Sequence, residues 1–378
     1  MGENSVKKIG IMTMHSSHNY GAVLQAYAFQ AKLDDMGYYT EIIDYITSIG
    51  RRNKELLLSD LSVGSFVHNL RTLMRYNKRK IKHNKFESFI KSFMKLTERS
   101  YSSLEELNRE NFDYDCVITG SDQTFNLRLG GSRDDRLAYY LPFIKNTKKI
   151  SYASSFGEHL SKFTDEDIEY ARKRLSEYSA LSLREESGAS FVNRITGMDT
   201  EITVDPTMLL TKEEWEDVLT DKSFFNGEYI LYYSVLADSW SVNEVKRLSK
   251  ATKLPVVAPH LKNRFELFAD FVRADDSGPR EFIGLIKNAK FICTTSFHGT
   301  VFSILFNKPF YALKYGPGER LSTLLKTLNL TDRLVNYGES VSIEKMFDIS
   351  FENANDIMQA ERQRSVEFLK NALNGGDN

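Results

Sequence analysis

Short apolar runs alternate with amphipathic stretches along most of this chain. Residues 8–13 and 39–45 have the length and residue types of buried strands. Between them Val23, Ala26, Tyr27, Gln30 and Leu33 recur at helical spacing, and Gly37 closes the helix predicted over 22–36. The rhythm returns with strands predicted over 115–119, 149–153, 180–184 and 202–206. It returns again over 229–235, 255–258, 290–293 and 310–313. Apolar strands separated by helices predict parallel sheets covered on both faces, the doubly wound α/β class. Two stretches break the rhythm. Residues from 48 to 109 read as helical without strands, and the tail from 352 to 373 reads as one or two helices.

Length turns one α/β pattern into two domains, because 378 residues exceed what a single core usually serves. The expected division is an N-terminal domain over 1–210 with a helical insertion at about 50–110, a C-terminal domain over 225–345, and a helical tail over 346–378. The amphipathic TKEEWEDVL and the polar connector after it carry the crossing. A net charge of -1 excludes a dedicated nucleic-acid binder. Cys116 and Cys293 both fall inside predicted strands without metal-ligand spacing, which fits buried thiols of a reducing compartment. MGENSVKKIG has no apolar signal core and no run spans a bilayer, so a cytoplasmic protein is expected.

Charge is uneven in one place. Arg71, Arg75, Lys78, Arg79, Lys80, Lys82, Lys85, Lys91 and Lys95 are opposed only by Glu87, with Phe86, Phe89, Ile90 and Phe93 interleaved. This reads either as a solvated helical insertion docked by its aromatics, or as a surface for peripheral contact with anionic headgroups.

Candidate chemistry gathers where strands end. After the strand at 290–293 comes Thr294-Thr295-Ser296, then a helix carrying His298, Gly299 and Thr300 in its first turn. The loop after 115–119 offers Ser121, Asp122, Gln123 and Asn126 to a hydroxylated ligand, although turns favour these residue types for backbone reasons too. Arg184 closes a strand, where a buried cation needs an anion: a ligand, or Glu185 or Glu186. Lys314 closes another. His15 and His18 lie on a loop lacking both a third ligand and a G-x-G-x-x-G fingerprint, so neither a metal nor a tightly held dinucleotide is expected.

Six phrases, in order, resemble the polysaccharide pyruvyl transferases: SHNYGAVLQAYAFQ, CVITGSDQTFN, SYASSFG, LSLREESG, VDPTMLL and ICTTSFHGTVFSILFNKPF. They cover nearly the whole chain apart from the basic insertion and the tail. The resemblance implies two Rossmann-like domains facing across a cleft, a glycosyltransferase-B-like arrangement, with the active site in that cleft. It implies phosphoenolpyruvate as co-substrate, no other cofactor and no metal. The acceptor would be a sugar of a surface polysaccharide or of its lipid-linked precursor. Many members carry Arg-x-His in the last phrase; here Ser296 stands at the Arg position, leaving open which cation replaces it.

On that resemblance His298 is the expected general acid, and Asp122, or else Asp205, the group accepting a hydroxyl proton. Arg184 and Lys314 would hold the donor, with Ser296, Gly299 and Thr300 at the helix mouth. His18, Asn19, Ser121, Gln123 and Asn126 would line the acceptor side. Two other classes share the architecture: a nucleotide-sugar glycosyltransferase, and a non-catalytic sugar- or phosphate-binding protein.

Overall fold

A computed structural model of the chain describes residues 6–56, 76–157, 160–219, 225–235, 238–260, 269–316 and 318–375. Arg71 and Arg75 of the basic stretch lie outside them. The chain divides into two compact units. The first comprises residues 1–55, 90–210 and 361–378, and the second 56–89 and 211–360. The sequence partition set 50–110 and 346–378 apart as an insertion and a tail. In the compact units, 56–89 groups with the second unit and 361–378 with the first.

The first unit is built on six strands: β1 (Lys8–Met12), β2 (Tyr39–Ile42), β3 (Cys116–Thr119), β4 (Lys148–Ser154), β5 (Ala180–Leu183) and β6 (Glu201–Ile202). They pair throughout in parallel, in the order β2-β1-β3-β4-β5-β6. β1 and β3 are almost wholly buried, which is why they read as continuous apolar runs rather than alternating ones. The helix Tyr20–Asp35 starts where Asn19 turns its side-chain oxygen to the Ala22 N–H, at 3.3 Å. It ends at Gly37, whose φ of 89° suits glycine alone. β6 is shorter than the strand predicted over 202–206. Asp205 leaves the sheet and caps a 3₁₀ turn, Pro206–Met208.

The C-terminal helix, Glu352–Asn374, is continuous, and its last turns complete this unit. Ser365 Oγ accepts from Val204 N at 3.1 Å, Arg362 Nε donates to the Met208 carbonyl at 2.7 Å, and Phe368 lies against Tyr152.

The second unit carries β7 (Ile230–Tyr233), β8 (Val256–Ala258), β9 (Val272–Arg273), β10 (Phe291–Thr294), β11 (Phe310–Lys314) and β12 (Leu334–Asn336). The order is β12-β11-β10-β7-β8-β9, again all parallel. β9 and β12, two and three residues long, are the strands that apolar patterning missed. The helix Tyr76–Phe93 belongs to this unit through Phe89. Phe86 and Phe89 are buried, and its lysines are partly neutralised, Lys85 by Glu281 at 3.0 Å and Lys78 by Asp275 at 3.5 Å. Among the described residues no helix is long and apolar enough to cross a membrane.

Candidate active site

In an open parallel sheet, loops leaving neighbouring strands in opposite directions open a crevice at the strands' carboxyl ends. The second sheet reverses between β7 and β10, and the His298 segment leaves from there. Thr294 Oγ1 donates to the Tyr233 carbonyl at 2.6 Å and accepts from Ser296 N at 3.0 Å. Thr295 Oγ1 meets Ser234 Oγ at 3.1 Å and the Val235 N–H at 3.0 Å. Hydroxyls thus clamp the turn to its neighbouring strand. Ser296 caps the helix Phe297–Leu305, accepting from Gly299 N at 3.3 Å, and Thr300 Oγ1 returns a bond to the Ser296 carbonyl at 3.1 Å.

His298 is therefore the second residue of a capped helix, 9% exposed, with the Phe297 ring perpendicular to it at 5.4 Å. The helix N-terminus adds a positive end to this site. Lys314, at the end of β11, is half-buried and donates to Ser322 Oγ at 2.9 Å.

Gly299 holds this arrangement by having no side chain. A Cβ there would stand 2.3 Å from Thr294 Oγ1 and 3.0 Å from the Tyr233 ring. Gly299→Ala is expected to cost about 1–3 kcal/mol of overpacking and to displace the His298 turn. A urea titration measures the first effect, and the acceptor-dependent rate the second.

The first sheet reverses between β1 and β3, and there the Gly120–Asn126 loop meets the start of the first helix. Thr13 Oγ1 donates to the Ser121 carbonyl at 3.1 Å and accepts from Gln25 Nε2 at 2.9 Å. Asp122 has φ 75°, a left-handed conformation that few residues other than Gly, Asn and Asp adopt. It is held there by Ser155 N, which donates to its carbonyl at 2.9 Å. Ser155 is in turn fixed by Glu185, whose Oε1 accepts from Ser155 Oγ at 2.7 Å and Phe156 N at 2.9 Å. The Asp122 side chain also stabilises the turn locally, its Oδ1 accepting from Gln123 N at 2.9 Å.

Of the residues expected on the acceptor side, Ser121 and Asn126 are fully buried. Ser121 Oγ donates to the Ala153 carbonyl and lies 3.2 Å from Asp205 Oδ2; Asn126 Nδ2 donates to Gln123 Oε1 at 2.8 Å. Both shape the loop from within. Gln123 packs so tightly on Gly157 that a Cβ there would meet its Oε1 at 2.3 Å. Asn19 is the helix cap described above, and His18 stands beside it, partly exposed.

Arg184, which follows β5, is buried. Its Nη1 donates to Asp205 Oδ2 at 2.8 Å, and its Nη2 lies 3.7 Å from Asp122 Oδ1. Burial opposes the charge, but the carboxylates of Asp205, Asp122 and Glu185 outweigh it and hold the pKa above its ordinary value. Asp205 also accepts from Thr207 N and Oγ1. Its carboxylate is the anchor of the cluster, a role that Asp-Pro at a strand end did not disclose.

Sequence reading also missed the partner of His15. The imidazole is buried, with Nε2 2.8 Å from Asp44 Oδ1 and Nδ1 3.2 Å from the Thr13 carbonyl. Burial raises the Asp44 pKa, but the hydrogen bond and charge of His15 and the hydroxyl of Ser100 overcome it, leaving the value below 3.8. A depressed carboxylate stabilises the fold fully above its unfolded pKa and loses that contribution as pH falls through the folded value. Stability is therefore expected to fall as pH drops below 3.8, and to fall less steeply in Asp44→Asn. Denaturant titrations of both proteins across that range measure the difference.

Two open parallel α/β sheets, each with polar loops at its switch point, define a glycosyltransferase-B-like protein. Solved structures of that architecture match end to end. S. aureus MnaA bound to UDP aligns with TM-score 0.55 at 14% identity, over 99% of this chain and 98% of that one. UDP-N-acetylglucosamine 2-epimerase from Rickettsia bellii gives 0.53 at 8%, over 97% of each. The Methanocaldococcus jannaschii UDP-GlcNAc 2-epimerase, in complex with UDP-GlcNAc and UDP, gives 0.51 at 12%, over 96% and 99%. At these identities the likeness is one of fold. No curated protein sequence matches the chain. The polysaccharide pyruvyl transferase family model matches residues 19–317, and the chain belongs to that family.

Proposed function

We propose that the protein transfers the pyruvyl group of phosphoenolpyruvate to hydroxyls of a sugar, in a surface polysaccharide or its lipid-linked precursor. The observation that carries this reading is His298. It stands on the first turn of the helix leaving β10, at a switch point, and inside the segment matched by the family.

Ketal formation first needs a proton at the methylene carbon of the donor, which leaves an electrophilic centre at the carbon bearing the phosphate. An imidazole suits that step near neutral pH; His298 is its source. A sugar hydroxyl attacks the electrophilic carbon and the C–O bond to phosphate breaks. A second hydroxyl then closes the ketal. The two hydroxyl protons balance the one added to carbon and the one carried off by phosphate. Asp122 accepts the first hydroxyl proton.

The donor brings a phosphate and a carboxylate. Lys314 and the mouth of the His298 helix, with Ser296, Gly299 and Thr300, supply opposite charge and oriented dipoles, while Arg184 holds the Asp122 and Asp205 carboxylates. His18 and Asn19, on the loop after β1, and Gln123, on the loop after β3 shaped by Ser121 and Asn126, are the acceptor-side groups at the first sheet's switch point. Phosphate release from phosphoenolpyruvate, followed with and without an extract of free and lipid-linked oligosaccharides, tests this reading. Release that depends on the extract supports it. Tight binding of a nucleotide sugar with no phosphate release contradicts it.

A further inference from the structure

Three aromatic side chains at the carboxyl end of the second sheet have no part in the chemistry above. Tyr315 follows β11 and Tyr337 follows β12, and they are 49% and 56% exposed. Their rings stand perpendicular, 4.9 Å between centroids. Trp240, on the first turn of the helix Ser239–Thr252, also meets Tyr337, at 5.4 Å. Its indole is fixed by a bond from Nε1 to the Glu339 carbonyl at 2.9 Å.

Exposed aromatics are usually scattered singly, whereas Tyr315 and Tyr337 are both exposed and in contact, and the partly buried Trp240 backs Tyr337. The cluster forms a corner of ring faces and edges rather than a flat apolar patch. Its border is polar: Lys314 ends β11 opposite Asn336 in β12, and Asn336 bonds the exposed Glu339 carboxylate at 2.8 Å. Ring faces carry negative quadrupole and attract the slightly positive C–H face of a pyranose, while the polar border matches its hydroxyls. A bilayer or an apolar protein partner would be served by a larger patch with less charge around it.

Position agrees with this. β12 lies two strands from β10, about 10 Å along the sheet at the usual spacing. The aromatic corner thus shares a sheet end with His298, displaced from it. It also reaches past the family-matched segment, which ends at residue 317, so that Tyr337 and Trp240's anchor at Glu339 lie outside it. We propose that Trp240, Tyr337 and Tyr315 form a saccharide subsite that stacks a pyranose ring of the acceptor, away from the residue being modified. This rests on the reading of the acceptor as a sugar.

Trp240 supplies a probe needing no turnover. The sequence has two tryptophans, and the other, Trp215, is fully buried. Titration of the protein with gluco-, galacto- and manno-configured trisaccharides and with chitotriose is expected to give a saturable change in tryptophan emission for at least one. Tyr337→Ala should weaken that binding about tenfold, whereas Tyr337→Phe, which keeps the ring, should retain it. No saturable change with any of the four overturns the proposal. So does a response to phosphatidylglycerol vesicles alone, which would assign the corner to a membrane. Kinetics separate this from the transferase reading. If phosphate release is acceptor-dependent but Tyr337→Ala leaves the acceptor KM unmoved, the subsite falls and the transferase stands. Ring-dependent saccharide binding without any release does the reverse.

Discussion

His298→Ala is expected to lower acceptor-dependent phosphate release by about 10²–10⁴-fold, the range for loss of a positioned proton donor. The helix that carries it should stay in place. The residue lies in the first turn of a helix already capped by Ser296, and its neighbours Gly299, Thr300 and Ser303 are fixed by bonds that do not use the imidazole. Alanine also favours the helix. The effect should therefore fall on turnover and leave binding of phosphoenolpyruvate largely in place, since Lys314 and the helix N-terminus persist. Rates measured beside a donor-binding isotherm separate the two. An alanine variant with wild-type turnover would remove His298 from the chemistry.

Asp205→Ala is expected to cost about 3–5 kcal/mol, the usual loss when one partner of a buried ion pair is removed. The side chains of Arg184 and Asp205 are 3% and 0% exposed, so the guanidinium left behind could not be hydrated without opening the unit. Asp122, 3.7 Å away, would compensate only in part. The same substitution removes the cap of the Pro206–Met208 turn and the partner of Ser121. A loss of that size is comparable to the whole stability of many domains. Urea unfolding is the measurement, and a change under about 1 kcal/mol would mean that the pair contributes little to the fold.

What the sequence disclosed was local. The His298 site was legible because a strand, a hydroxyl-rich turn and a helix follow one another within a few residues, and the Asp122 loop because Gly-Ser-Asp closes an apolar run. Arg184 stood out as a cation at a strand end. Its anion did not: Asp205 lies 21 residues on, across a helix and a strand, and no spacing rule joins them. The partner of His15 was hidden in the same way, since Asp44 lies just beyond the next strand. β9 and β12 are too short to leave an apolar run. The aromatic corner is assembled from Trp240, Tyr315 and Tyr337 only when β7, β11 and β12 are brought into one sheet.

The central claim is that the pyruvyl carbons of phosphoenolpyruvate end on a sugar. Incubation of the protein with ¹³C-labelled phosphoenolpyruvate and the oligosaccharide extract, followed by mass and NMR analysis of the saccharides, tests it most directly. The account predicts labelled carbons in a methyl-bearing ketal on the sugar, formed together with phosphate and absent with His298→Ala. Saccharides that stay unlabelled while the protein transfers a sugar from a nucleotide donor would contradict it.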